Sequence, residues 1–154
     1  MSLAKDVTEE VALARYETDV HAWTREQAGL LRKLRPAGLD WENVAEEIES
    51  LGSEQLHALE SYYSLLIMHL LKWHYQPERR SRSWRSTIID SRSQIERRER
   101  RNPSLKATAS DIVADVYASG RDRAAAETDL PLWTFPSACP YSFDQLRDRD
   151  LLPE

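Results

Sequence analysis

Cysteine is nearly absent from this 154-residue chain: Cys139 is the only one. A disulfide framework and a cysteine-built zinc site are therefore both excluded. Glycine is scarce, with four residues, and no glycine-rich phosphate loop is present. Valine and isoleucine together number 12, against 35 for alanine and leucine, so the composition disfavours sheet and favours helix. The longest strongly apolar stretch runs from Tyr62 to Leu71. That is about half of the roughly 20 residues a membrane span needs. The first twenty residues carry Asp6, Glu9, Glu10, Glu17 and Asp19 and lack the basic start and apolar run of a signal peptide. The expectation is a cytoplasmic protein with no membrane contact. There is no internal repeat, low-complexity tract or nucleophile elbow.

What is present is charge, unevenly placed. Residues 1–71 sum to −7, residues 72–101 to +6 and residues 102–154 to −4, for a net charge of −5. Nine of the 17 arginines lie between Arg79 and Arg101. By contrast, the segment from Asp40 to Glu60 holds seven acids and no lysine or arginine.

The periodicity predicts an all-α antiparallel bundle of about five main helices. Asp6 and Glu9 have capping-box spacing, which suggests a short helix near 7–15 in an N-terminal segment that is otherwise weakly patterned. Residues 16–154 are expected to form one domain. A first helix runs from Asp19 to Arg35 with Thr18 as N-cap, and Pro36 and Gly38 end it. A second follows Asp40 to Leu51, with Gly52 at its C-terminal stop; a single helix kinked at Gly52 is the alternative. A third, from Glu54 to Tyr75, is apolar nearly all round between Tyr62 and Trp73 and should be the central, buried one. A fourth spans Trp84 to Arg101 after Ser83, with Trp84, Ile88, Ser91 and Ile95 inward. A fifth has Asn102 as N-cap, Pro103 at its first position and a stripe from Leu105 to Ala124. Between Leu130 and Tyr141 three prolines forbid a regular helix. An extended tail should lay Leu132, Trp133, Phe135 and Tyr141 on the bundle. Ser142 and Gln145 should then cap a last short helix to about Arg149.

The strings Asp40-Trp-Glu-Asn-Val-Ala-Glu-Glu-Ile-Glu-Ser-Leu-Gly52, His69-Leu-Leu-Lys-Trp73 with Gln76-Pro77, and Ser83-Trp84 closely resemble the family called domain of unknown function 29. So do Pro103-Ser-Leu105 and the ending Phe135-Pro136 through Cys139-Pro140. The resemblance covers residues 16–154. It implies a bacterial, all-helical domain and implies no activity.

Two groups of residues could carry function. The first is a polar pocket. His69, Lys72 and Gln76 share one face of the most apolar helix, where a cation needs a partner. Glu46 and Glu49 on the preceding helix are the expected partners, and Arg92 is a further candidate member of the pocket. This set is either a small-ligand or catalytic pocket or a satisfied network that fixes helix register. His69 should be buried, bonded to a carboxylate of that preceding helix or to a tail backbone group. The second is a basic surface made of Arg79, Arg80, Arg82, Arg85, Arg97, Arg98, Arg100 and Arg101. It would hold a protein partner or a second copy, and nucleic acid after those, or it would neutralise the acidic segment within the chain. Glu54-x-x-His57 lacks the second Glu-x-x-His of a helical di-metal site, so no metal is expected. No cofactor is called for, and Cys139 reads as a packing residue. The leading reading is a non-catalytic interaction or regulatory domain. The alternative is an enzyme or ligand binder using the polar pocket.

Overall fold

A computed structural model describes residues 16–154; the short helix expected near 7–15 lies outside them. Every regular element among the described residues is helical. Helix α1 is Val20–Leu34, α2 Trp41–Tyr75, α3 Arg82–Arg101, α4 Pro103–Ala107, α5 Ala109–Thr128 and α6 Phe143–Arg147, with single 3₁₀ turns at Pro77–Arg79 and Leu132–Thr134. The described residues divide into two compact units. One takes residues 16–57 and Glu99–Ala107, the other Ala58–Arg98 and Thr108–Glu154.

In the first unit Asp19, not Thr18, caps α1. Its extended backbone turns its carboxylate to accept from the Ala22 amide. The same carboxylate accepts from the amide and hydroxyl of Ser104, which ties the start of α1 to α4. Arg35 ends α1 in the left-handed region at φ 44°, with its N–H donated to the Leu31 carbonyl. Gly38, at φ 79°, then makes the turn into α2.

The helices expected on either side of Gly52 are one 35-residue helix. Gly52 is therefore not a helix stop. A Cβ there would come within 2.2 Å of the Thr24 hydroxyl, so its missing side chain lets α1 and α2 approach. Asn102 is fully buried, accepts from the His21 amide and donates to Gln55. Its carbonyl accepts from Leu105 and Lys106 as α4 begins at Pro103.

The second unit is built on residues 58–75 of α2. Leu59, Tyr63, Leu66, Ile67, Met68, Leu70 and Leu71 are buried, as their nearly continuous apolar surface requires. Ile88 and Ile95 of α3 and Ile112, Val113, Tyr117 and Ala124 of α5 complete the core. A Cβ on Gly120 would meet the Ser64 carbonyl at 3.2 Å and Ile67 at 3.3 Å, so α5 lies close on α2 there. α3 starts at Arg82, two residues early, with the Ser81 hydroxyl rather than that of Ser83 accepting from the Trp84 amide. The stripe from Leu105 is carried by two helices rather than one. They meet at Thr108, whose φ −103°, ψ 14° is not helical.

The tail departs from expectation at one aromatic. Phe135 is 1% exposed, whereas Trp133 is 82% exposed. An extended chain would put residues two apart on one face. The 3₁₀ turn at Leu132–Thr134, at about 120° per residue, separates them. Arg121 pins this turn by donating to the carbonyls of Leu132 and Phe135, and the Tyr117 hydroxyl donates to Pro136 at 2.6 Å. Ser142 and Gln145 form the expected capping box, and α6 ends at Arg147.

Candidate functional site

The apolar run of α2 carries two polar side chains into the core of the second unit. Lys72 is 5% exposed, and its ammonium needs compensation. Nζ lies 2.5 Å from Glu127 Oε2 on α5 and 4.5 Å from the centroid of the Trp84 ring on α3. A carboxylate and an aromatic face thus share the cation. Glu127 stays half-exposed, and the Lys72 ammonium holds its carboxyl below the usual range.

His69 is also buried. Its Nδ1 is 2.9 Å from the Leu65 carbonyl, which can only accept, so Nδ1 carries a hydrogen. Burial pushes the His69 pKa down, and the Lys72 and Arg123 charges add to that. The Leu65 hydrogen bond and Glu127 oppose it. Gln76 donates to the Thr128 carbonyl, and the Thr128 hydroxyl donates back to Ala124 at 2.7 Å. Gln76, Arg79, Trp84, Glu127, Thr128 and Asp129 surround a hollow of about 380 Å³.

This arrangement corrects two sequence expectations. The carboxylate for Lys72 comes from α5, not from Glu46 or Glu49. The bond of His69 goes to its own helix, not to a neighbouring carboxylate or the tail. Glu49 belongs to the first unit, where it accepts from Arg32 Nη2 at 2.7 Å. Glu46 and Glu49 line a groove of about 570 Å³ there with Arg32, Arg35, Trp41, Glu42 and Asn43. Arg92 spends its guanidinium elsewhere. Nε donates to the Leu146 carbonyl at 2.9 Å, Nη1 to Leu151 at 2.7 Å and Nη2 to Gln145 at 2.9 Å. Its role is to clamp the C-terminal tail, and burial lowers its pKa.

The basic segment divides by exposure. Arg80 donates to the carbonyls of Trp73 and Pro153, and its guanidinium lies 5.0 Å from the Trp73 ring centroid. Arg98 lies 5.4 Å from the Tyr62 ring centroid, and Arg100 is exposed but engaged. Arg79, Arg82, Arg85, Arg97 and Arg101 are exposed and have no ion pair or hydrogen-bond partner among the described residues. On α3 the exposed positions Arg82, Ser86, Ile89, Ser93 and Arg97 recur about one turn apart and form a single face. Ile89 is 49% exposed at its centre. Trp84, expected inward, is half-buried and offers its ring to Lys72.

Sequence reasoning missed Glu127 and Arg121. Glu127 is 55 residues from its cation, and nothing in its local pattern sets it apart from other exposed helix acids. Arg121 lies one position after Gly120 on α5 and reads as a solvated charge until the tail is placed above it. Among the described residues no three His, Cys, Asp or Glu side chains converge as a metal would require. No helix among them is long and apolar enough to cross a membrane.

Comparison with known proteins bears on the family and the fold. The family model described as "Domain of unknown function DUF29" matches residues 15–152. The crystal structure of an alpha-helical protein of unknown function from Rhodospirillum rubrum is similar, with a TM-score of 0.66 and 24% sequence identity, over 88% of this chain and 90% of that one. At that identity the likeness speaks for the fold. No curated protein matches the chain.

Proposed function

We propose a binding role, not a catalytic one, for this chain, which belongs to the family described as domain of unknown function DUF29. The exposed face of α3 binds an acidic macromolecular partner, a protein before a nucleic acid. One observation carries this reading: Arg79, Arg82, Arg85 and Arg97 of the second unit stand exposed with no acidic partner among the described residues. Guanidinium groups left in water keep their full capacity for bidentate pairing with carboxylate or phosphate. Ile89 lies among them, and an apolar contact suits a protein surface better than a phosphate backbone.

The rival reading, an enzyme or small-ligand binder, would use the hollow beside Trp84 and Glu127. There the buried ammonium is already satisfied by Glu127, and no Ser, Cys or His pair stands ready as nucleophile and base. The binding role ranks first for that reason.

The test is a fluorescence-anisotropy titration with two probes, an acidic leucine-containing peptide and random-sequence duplex DNA, at low and at physiological salt. Peptide binding should persist at physiological salt. DNA binding should be confined to low salt, where phosphate contacts are strongest. The triple variant Arg82→Gln, Arg85→Gln, Arg97→Gln should lose both. Failure of the unmodified chain to bind either probe at low salt overturns the reading.

A further inference from the structure

We infer that the partner of the basic face is a second copy of this chain, which docks through the exposed face of residues 47–54 on α2. The inference rests on the binding role above and names its partner. The two faces are complementary in pattern as well as in charge. On the first unit Leu51 is 52% exposed. Glu47 stands four residues before it and Glu54 three after, one turn away on each side. Both carboxylates are exposed and have no ion pair or hydrogen-bond partner among the described residues. On the second unit Ile89 is 49% exposed, with Arg85 and Arg82 at four and seven residues before it and Arg97 at eight after.

Each face is thus an aliphatic side chain bracketed by charges of one sign, and the two signs are opposite. Packing Leu51 of one copy on Ile89 of another removes both from water. It also sets glutamates beside arginines, as flanking charges do along an apolar helix seam. A nucleic acid offers no aliphatic knob to cover Ile89. Another acidic protein would leave Leu51 and its glutamates without an occupant, whereas a second copy covers both faces. The near balance of −7 in residues 1–71 and +6 in residues 72–101 fits the same partner. Because the two faces differ, the contact is heterologous, and a docked pair keeps one unused face of each kind, one on each copy.

The experiment is sedimentation equilibrium of the full chain at low salt and again at high salt, where exposed charges farther apart than about 3 Å are screened. The expected result is a weight-average mass above the monomer at low salt that falls to the monomer at high salt. Two variants locate the contact. Glu47→Gln, Leu51→Gln, Glu54→Gln disables the acidic face. Arg82→Gln, Arg85→Gln, Ile89→Gln disables the basic one. Each should be monomeric by itself at low salt, with the helical circular dichroism of the unmodified chain.

Mixed one to one, the two variants should form a dimer and stop there, because the intact basic face of one meets the intact acidic face of the other. A monomeric unmodified chain at low salt overturns the inference. So does an association that neither variant weakens, or a mixture that stays monomeric. The peptide titration separates the two claims. Peptide binding by a chain that does not self-associate leaves the binding role standing without this partner, and absence of both removes both.

Discussion

The basic side chains of the second unit occupy two environments, and the contrast separates structural charge from available charge. Lys72 and Arg92 are buried, at 5% and 3% exposure, and each has its donors committed: Lys72 to Glu127 and the Trp84 ring, Arg92 to three carbonyls of the tail. Arg82, Arg85 and Arg97 are in water and have no partner among the described residues. A charge cannot be taken out of water without compensation, so burial selects for the partnered state. Charges left outside are under no such demand and are free for another molecule. Position within the basic segment therefore says little about role until burial is known.

The sharpest way to break that contrast is to remove one cation from each environment. Arg92→Met should lower stability by about 3–5 kcal/mol, since it strands tail carbonyls that the guanidinium satisfies. Its tail beyond Gln145 should also become sensitive to protease. Arg82→Gln should change stability by less than about 0.5 kcal/mol, as exposed substitutions do. Urea denaturation of both variants is the measurement. Similar losses for the two would show that the exposed arginines are structural after all.

A second test works within the buried environment. Glu127→Ala leaves the ammonium of Lys72 in the core without its carboxylate, and should cost about 2–3 kcal/mol. Lys72→Met removes the charge and keeps an apolar stem. Glu127 is half-exposed and turns to water, so the loss should be about 1 kcal/mol or less. Melting curves of the two single variants should thus differ in that order. The reverse order would mean that Glu127, not Lys72, bears the desolvation.

How much of this was legible in the sequence follows from the range of each interaction. Helix α2 through the Tyr62–Trp73 run, the proline-bounded loops and the Ser142–Gln145 capping box depend on neighbours within a few residues, and each is where the pattern puts it. The burial of His69 and Lys72 follows from the apolar side chains around them on one helix. Their partners do not. The pattern points to Glu46 and Glu49 on the preceding helical stretch, but the carboxylate that reaches Lys72 is Glu127, brought in by α5. Gly52 reads locally as a helix stop, and only the approach of Thr24 explains it inside a continuous helix. Trp133 and Phe135 have the same composition signal. The 3₁₀ turn that splits them is held by Arg121, 11 and 14 residues from the two carbonyls it grips, and by Tyr117, 19 residues from its own.

The smallest effect concerns protons. The structure favours neutral imidazole at His69, chiefly because burial disfavours the charged form, with the Lys72 ammonium adding repulsion. In the unfolded chain the same ring titrates at its ordinary value, about 6.5. Below that value the unfolded state binds more protons than the folded one, so stability rises with pH across this window. The contribution is complete above the ordinary value and is lost as pH falls toward and through the folded one. His21 of the first unit is shifted the same way, by burial first and then by Arg25, and adds to the slope. The carboxyls of Glu49 and Glu127, held low by Arg32 and Lys72, lose their contribution only at more acid pH, below about 4.5. Urea midpoints from about pH 8 down to about pH 5 should therefore decline, and His69→Gln should flatten part of that decline while His21→Gln flattens the rest. An unchanged slope in the His69 variant would place its imidazole in contact with water in the folded chain. The buried environment of the comparison would then end at Lys72.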